Sequence, residues 1–147
     1  MGDRAYFYVT VGVDDAESEA GEAILGIYFN GPEEKGTRSA RYVEEGMNYG
    51  GCSFLEEWAA AGFLCRGGQE GGCEYGPSEF CTREGALYEI DRGRNGGYVV
   101  DFDVDTQLPD PADVGRITEC LQMFKLTEEE MEKTPMERLA ACAEPAS

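Results

Sequence analysis

The run AYFYVTVGV at residues 5 to 13 constrains the fold more than any other stretch of the chain. Aromatic and β-branched side chains fill it, and these lose rotamer freedom in a helix but pack well on a pleated surface. It predicts a strand with Phe7, Val9, Val11 and Val13 on one face and Tyr6, Tyr8 and Thr10 on the other. One strand is not stable alone, so the remaining sequence must supply partners. AILGIYF (23 to 29) reads as the second strand, antiparallel to the first, ending at Asn30-Gly31-Pro32, where turn chemistry meets a residue that cannot continue a ladder. Between them DDAESEAGE (14 to 22) carries five acids and no base and reads as a solvated connection.

Helical patterns appear further on. Ser39 to Glu45 is expected to be helical, with Thr37 as its cap and Gly46 as its stop. Ser53-Phe54-Leu55-Glu56 has the form of a capping box, and the helix FLEEWAAAGF behind it places Leu55, Trp58 and Ala59 on one face, with Gly62 weakening its end. The single tryptophan, Trp58, is read there as a core anchor. RGGQEGGCEYGPSE (66 to 79) holds five glycines and reads as a loop; it lacks the GxxxxGK[ST] pattern of a phosphate cradle. ALYEI (86 to 90) and YVVDFDV (98 to 104) flank the basic turn Arg92-Gly93-Arg94-Asn95-Gly96-Gly97 and are expected to form a hairpin. After Pro109-Asp110-Pro111 the pattern becomes helical, with an apolar stripe of Val114, Ile117, Leu121 and Phe124. Thr127-Glu128-Glu129-Glu130 looks like a second capping box that opens a short acidic helix, broken at Thr134-Pro135, with MERLAACA as the last turns. Strands and helices do not alternate regularly. The expected fold is therefore α+β: an antiparallel sheet of about four strands with helices packed on one face, in a single domain over residues 1 to 147.

Charge narrows the function classes. Thirty acidic residues stand against 12 basic ones, a formal charge of -18 with no histidine. A chain with 41% hydrophobic residues and 16 aromatics is nevertheless expected to fold, unlike a disordered acidic tail. Phosphate binding needs Lys and Arg, so such a surface argues against direct binding of nucleic acid and for a basic protein partner. Without histidine neither a Cys-His pair nor a Ser-His-Asp triad can be built. The six cysteines (Cys52, Cys65, Cys73, Cys81, Cys120 and Cys142) contain no CxxC pair, so free thiols are expected rather than a zinc ribbon, and no metal or cofactor is assigned. MGDRAYFYVTVGV lacks the pattern of a signal peptide; Met1-Gly2 opens like a myristoylation signal, but Tyr6 stands where Ser or Thr is required. No apolar run reaches the roughly 18 residues of a membrane span. The expected location is the cytoplasm.

Asp101, Asp103 and Asp105 pose the sharpest question. On an extended strand they share a face at roughly 6.6 Å spacing, opposite Val100, Phe102 and Val104. An EF-hand is excluded, because counting from Asp101 the sixth and twelfth positions hold Thr106 and Ala112, not Gly and Glu. A magnesium or two-metal site, a general acid-base pair, a solvated strand face and a phosphate-like array remain as readings. In the last of these the triplet joins Asp14, Asp15, Glu17 and Glu19 and the group Glu128, Glu129 and Glu130 to form one partner-binding surface.

MGDRAYF at the start and GIYFNGPEE at residues 26 to 34 resemble a group of small phage and mobile-element proteins of uncharacterised function. Members of that group open with Met-Gly-Asn-Arg-Ala and carry Tyr-Leu-His-Trp-Asn-Gly-Gly at the end of an early strand. The stretch EIDRGRNGGYVVD is similar to their Asp-Asn-Gly…Tyr-x-Val/Ile segment. The likeness covers three short pieces; Asp3 replaces Asn, and Phe29 stands where Trp is usual. It implies an accessory phage protein and transfers no catalytic residue. Together with the charge it leads to the expectation of a non-enzymatic, anti-CRISPR-like inhibitor that binds a basic, nucleic-acid-binding defence complex of the host by nucleic-acid mimicry. A small metal-dependent enzyme using the strand carboxylates, or a solvated structural subunit, is the alternative.

Overall fold

The computed structural model describes residues 5 to 47, 50 to 70, 77 to 93 and 97 to 132, the side chains of 5, 45 to 47 and 50 to 52 excepted. The first run forms β1 (Ala5–Gly12) as expected, and it lies inside the sheet, paired on both sides. The chain continues through α1 (Val13–Glu17), α2 (Glu19–Tyr28), β2 (Glu34–Lys35), β3 (Ser39–Met47), α3 (Gly50–Ala60), β4 (Cys65–Gln69), β5 (Ser78–Arg83), β6 (Ala86–Asp91) and α4 (Pro111–Met131). All strand pairs are antiparallel, in the order β2-β3-β1-β4-β5-β6. The fold is α+β on a single antiparallel sheet, with six strands rather than about four.

Several local expectations are overturned. Residues 14 to 28 are helical, not a solvated connection followed by a strand. Ser18 caps α2 by accepting from the Gly21 amide at 3.0 Å, and α2 winds so that Gly21 and Leu25 fall on one buried side, with Phe29, the buried residue that ends it, in extended conformation. A short apolar run fits either state, and the cap decides for helix. Residues 39 to 47 form β3 instead of a helix: Ala40 and Tyr42 are buried while Arg41 and Val43 are only partly so, a period of two. The proposed cap Ser53 lies within α3, which starts at Gly50. The glycine loop begins as β4 and ends in β5. β6 pairs with β5 through a tight turn at Glu84-Gly85, whose φ values of 51° and 80° suit a type I′ hairpin. YVVDFDV does not extend along the open edge of β6: among the described residues it makes only the isolated bridges Arg92–Tyr98 and Phe102–Pro109. Thr127 opens no new helix, because α4 runs through it and its hydroxyl donates to the Met123 carbonyl at 2.7 Å. The break at Thr134-Pro135 and the turns at MERLAACA lie outside the described residues.

The sheet has two working faces. Phe7, Val9 and Val11 of β1, Ala40 and Tyr42 of β3, Cys65 and Phe80 pack with Leu25 and Phe29 of α2 and with Phe54, Leu55 and Trp58 of α3. Phe7 stacks on Phe80 at 5.2 Å between centroids, and Phe54 meets Phe29 edge-on at 5.3 Å. Trp58 anchors this core as expected, its indole N–H donating to the Leu64 carbonyl at 2.9 Å. Cross-strand partners place Glu34, Arg41, Thr10, Arg66, Cys81 and Tyr88 in one row across the other face. There α4 lays Ile117, Cys120 and Phe124 on Cys81 and Ile90. Phe80 and Cys81 are neighbours in β5 yet belong to different cores, so helices cover both faces and not one. The buried stripe of α4 is Ile117, Cys120, Phe124, Thr127 and Met131; Val114 and Leu121 from the expected stripe are exposed.

Candidate interaction surface

α4 is tied to the sheet by arginines that rise from the strands. Arg66 of β4 lies over the Phe124 ring at 4.1 Å and bridges Glu79 of β5 at 2.8 Å and Glu128 of α4 at 2.9 Å. Arg92 approaches Glu79 from the other side and stacks on Tyr98. Partial burial alone would raise the Glu79 carboxyl, but the hydrogen bond and charge of Arg66, joined by Arg92, hold it below the usual carboxylate range. Arg83, itself buried, bridges Glu130 at 2.8 Å and reaches the Thr127 hydroxyl at 3.4 Å. Two carboxylates at the end of α4 are thus paired with sheet arginines, Glu128 with Arg66 and Glu130 with Arg83; Glu128 and Glu129 are exposed and Glu130 is half-buried.

The first acidic group has similar duties. Asp15 accepts the Leu64 amide at 3.1 Å and Glu17 pairs with Lys35 at 2.8 Å, while Asp14 and Glu19 are exposed in the first turns of α1 and α2, where acids suit the helix dipole. Arg38 links this end of the sheet to the end of α4: its carbonyl accepts from Val13, and its guanidinium donates to the Glu132 carbonyl. The aspartate triplet lies elsewhere. It precedes the N-terminus of α4, roughly 25 Å along the helix from Glu128 at 1.5 Å per residue. The ten acidic residues therefore do not form one surface: Asp14, Asp15, Glu17 and Glu19 lie in α1 and α2 on the side of the first core, Glu128, Glu129 and Glu130 lie in α4 on the opposite side, and Asp101, Asp103 and Asp105 precede the start of α4.

The triplet is not a strand face. Residues 101 to 110 double back on themselves: the Asp110 amide donates to the Asp101 carbonyl and the Asp103 amide to the Leu108 carbonyl, each at 2.8 Å. Asp103, although exposed, caps its own turn, its Oδ1 accepting the Asp105 amide at 2.8 Å and the Thr106 amide at 3.0 Å. Those amides hold its carboxyl below the ordinary range. Gln107 closes the turn at φ 61°. The regular 6.6 Å array is thereby lost, and so is the apolar reverse face: Phe102 is 63% exposed and Val104 89%. Leu108 and Val99 are also exposed, and a shallow hollow of about 370 Å³ is lined by Phe102, Asp103, Val104 and Gln107. Strict alternation hid this group, since it set Val100, Phe102 and Val104 together on the face opposite the aspartates; of the three only Val100 packs against a core, at its edge.

Other chemistry-bearing groups are inward. Cys65, Cys81 and Cys120 are free and buried, and burial pushes the Cys65 thiol up to about 12 and raises the other two. Cys52, Cys73 and Cys142 have no described side chains, so a meeting of the four central cysteines lies outside the described residues. Among the described residues no three His, Cys, Asp or Glu side chains converge as a metal site, and no helix is long and apolar enough to cross a membrane. A second hollow, also about 370 Å³, lies between α1, α2 and β3 over Ala16, Leu25, Phe29 and Tyr42, with the Glu17–Lys35 pair at its rim. Comparison of the chain with protein-family models, with curated proteins and with solved structures finds no match.

Proposed function

We propose that the protein is a non-catalytic binding protein whose partner is a basic, nucleic-acid-handling protein, and that it inhibits this partner by occupying the surface nucleic acid would use. The observation carrying this reading is the charge of -18 on a folded domain with an aromatic core. A folded acidic body presents its charge at fixed positions, so it attracts a basic groove over long range and loses little entropy on docking. The resemblance to phage and mobile-element proteins supports a bacterial host and its defence complexes as the setting. The aspartates do not form an evenly spaced, phosphate-like array, because Asp103 is committed to its own turn; the attraction rests on net charge. The alternative of a metal-dependent enzyme draws no support from the triplet for the same reason.

The test is retention of bacterial nucleic-acid-binding proteins on the immobilised chain at about 50 mM and about 500 mM salt, a step that collapses the screening length. Retention at low salt, displaced by added DNA, is expected. Absence of any basic partner at low salt overturns the reading.

A further inference from the structure

The exposed apolar side chains before α4 sit on an ordered element. Val99, Phe102, Val104 and Leu108 point into solvent from a segment whose backbone is fixed by its own hydrogen bonds and by the Asp101 amide donating to Asp113 at 2.9 Å. Phe102 and Val104 line one shallow hollow, so the exposed apolar surface is contiguous there, and contiguous exposed apolar surface marks interaction sites. The surroundings select its occupant. Between Tyr98 and Gly115 the chain carries Asp101, Asp103, Asp105, Asp110 and Asp113 and no basic residue. A second copy would bring like charges together on bodies of -18 each, and anionic lipid would be repelled.

We propose that the doubled-back segment 98 to 110 is the docking finger, and that it inserts Phe102 and Val104 into an apolar cleft rimmed by Lys and Arg on the partner protein. This rests on the reading of the protein as a binder of basic proteins and adds where and how it binds. The apolar tips supply the short-range contact, and Asp101 and Asp105 on either side meet the basic rim.

The probe is a library of random peptides selected against the full chain. Enriched peptides are expected to interleave Lys or Arg with apolar residues. Their affinity should fall at least about tenfold for the double variant Phe102→Ser/Val104→Ser, and stay unchanged for Ile27→Ser, which is equally exposed on α2. Because all three side chains are solvent-facing, the melting temperatures of the variants should match the parent and exclude misfolding as the cause. No enrichment, peptides without basic residues, or equal binding by the double variant overturns the finger. So does a dimer in sedimentation that the double variant abolishes, which would name a second copy. Binding to phosphatidylcholine vesicles through Phe102 would name a membrane and likewise overturn it. If the double variant still retains basic proteins at low salt, only the finger falls; if the parent retains none, the underlying reading falls with it.

Discussion

Gly67 of β4 lies against the backbone of β1. A Cβ there would stand 2.1 Å from the Tyr8 carbonyl oxygen and 2.8 Å from the Val9 Cα, and neither atom can rotate away. Gly67→Ala should therefore destabilise by about 3 kcal/mol or more, the upper end of overpacking costs, because two central strands must separate. Gly85 fails for a different reason. Its Cβ would have room, but φ is +80°, so Gly85→Ala should cost about 1 kcal/mol of backbone strain. Gly115 is the converse, on an exposed turn of α4 with nothing within 4 Å, and Gly115→Ala should stabilise by about 0.5–1 kcal/mol. Urea midpoints of the three variants would establish or refute this ranking.

Among the elements, α4 depends most on ionisation, because Glu79 joins the two arginines beneath it. A carboxyl depressed on folding contributes stability above its unfolded value, near 4.5, and that contribution is lost as pH falls through the lower folded value. The urea midpoint should accordingly drop as pH is lowered below about 4.5, and Glu79→Gln should show a lower midpoint at neutral pH with a flatter acid slope. An unchanged slope would show that other carboxylates govern the acid limb. The start of α4 was legible in the sequence through Pro109-Asp110-Pro111, since Asp110 caps the helix by accepting the Ala112 amide at 3.0 Å. β1, β6 and the body of α3 were legible too, through composition and periodicity. β4 was not, because its glycines look like a loop until the clash they avoid at Tyr8 is known. The 98 to 104 run failed in the opposite way. Its alternation, which holds only from Val100 to Asp105, is a local pattern, and the run folds back on residues 108 to 110 instead of extending along the open edge of β6. The candidate site suffered most, for acids in sequence clusters proved to be helix-turn and ion-pair residues at α1 and α4.

For the molecule as a whole, salt acts on folding and on binding with opposite signs. Within the fold, ion pairs such as Arg66–Glu128 are weakened by screening, but they are few beside 30 acids facing 12 bases. Repulsion therefore dominates, and screening relieves it. Raising salt from about 20 mM to about 300 mM should lift the melting temperature by several degrees, since about 1 kcal/mol moves a domain of this size by roughly 2–4 °C. Over the same step the affinity for a basic partner should fall, because the attraction that steers docking is screened as well. The pairing of the two trends is what discriminates. If binding were lost because the protein unfolded, stability and affinity would fall together. If the acidic surface were only a solvated coat, stability would rise while affinity for basic proteins stayed flat or absent. A thermal melt and a binding isotherm on the same samples separate these cases, and only rising stability with falling affinity agrees with a folded acidic body that works by charge.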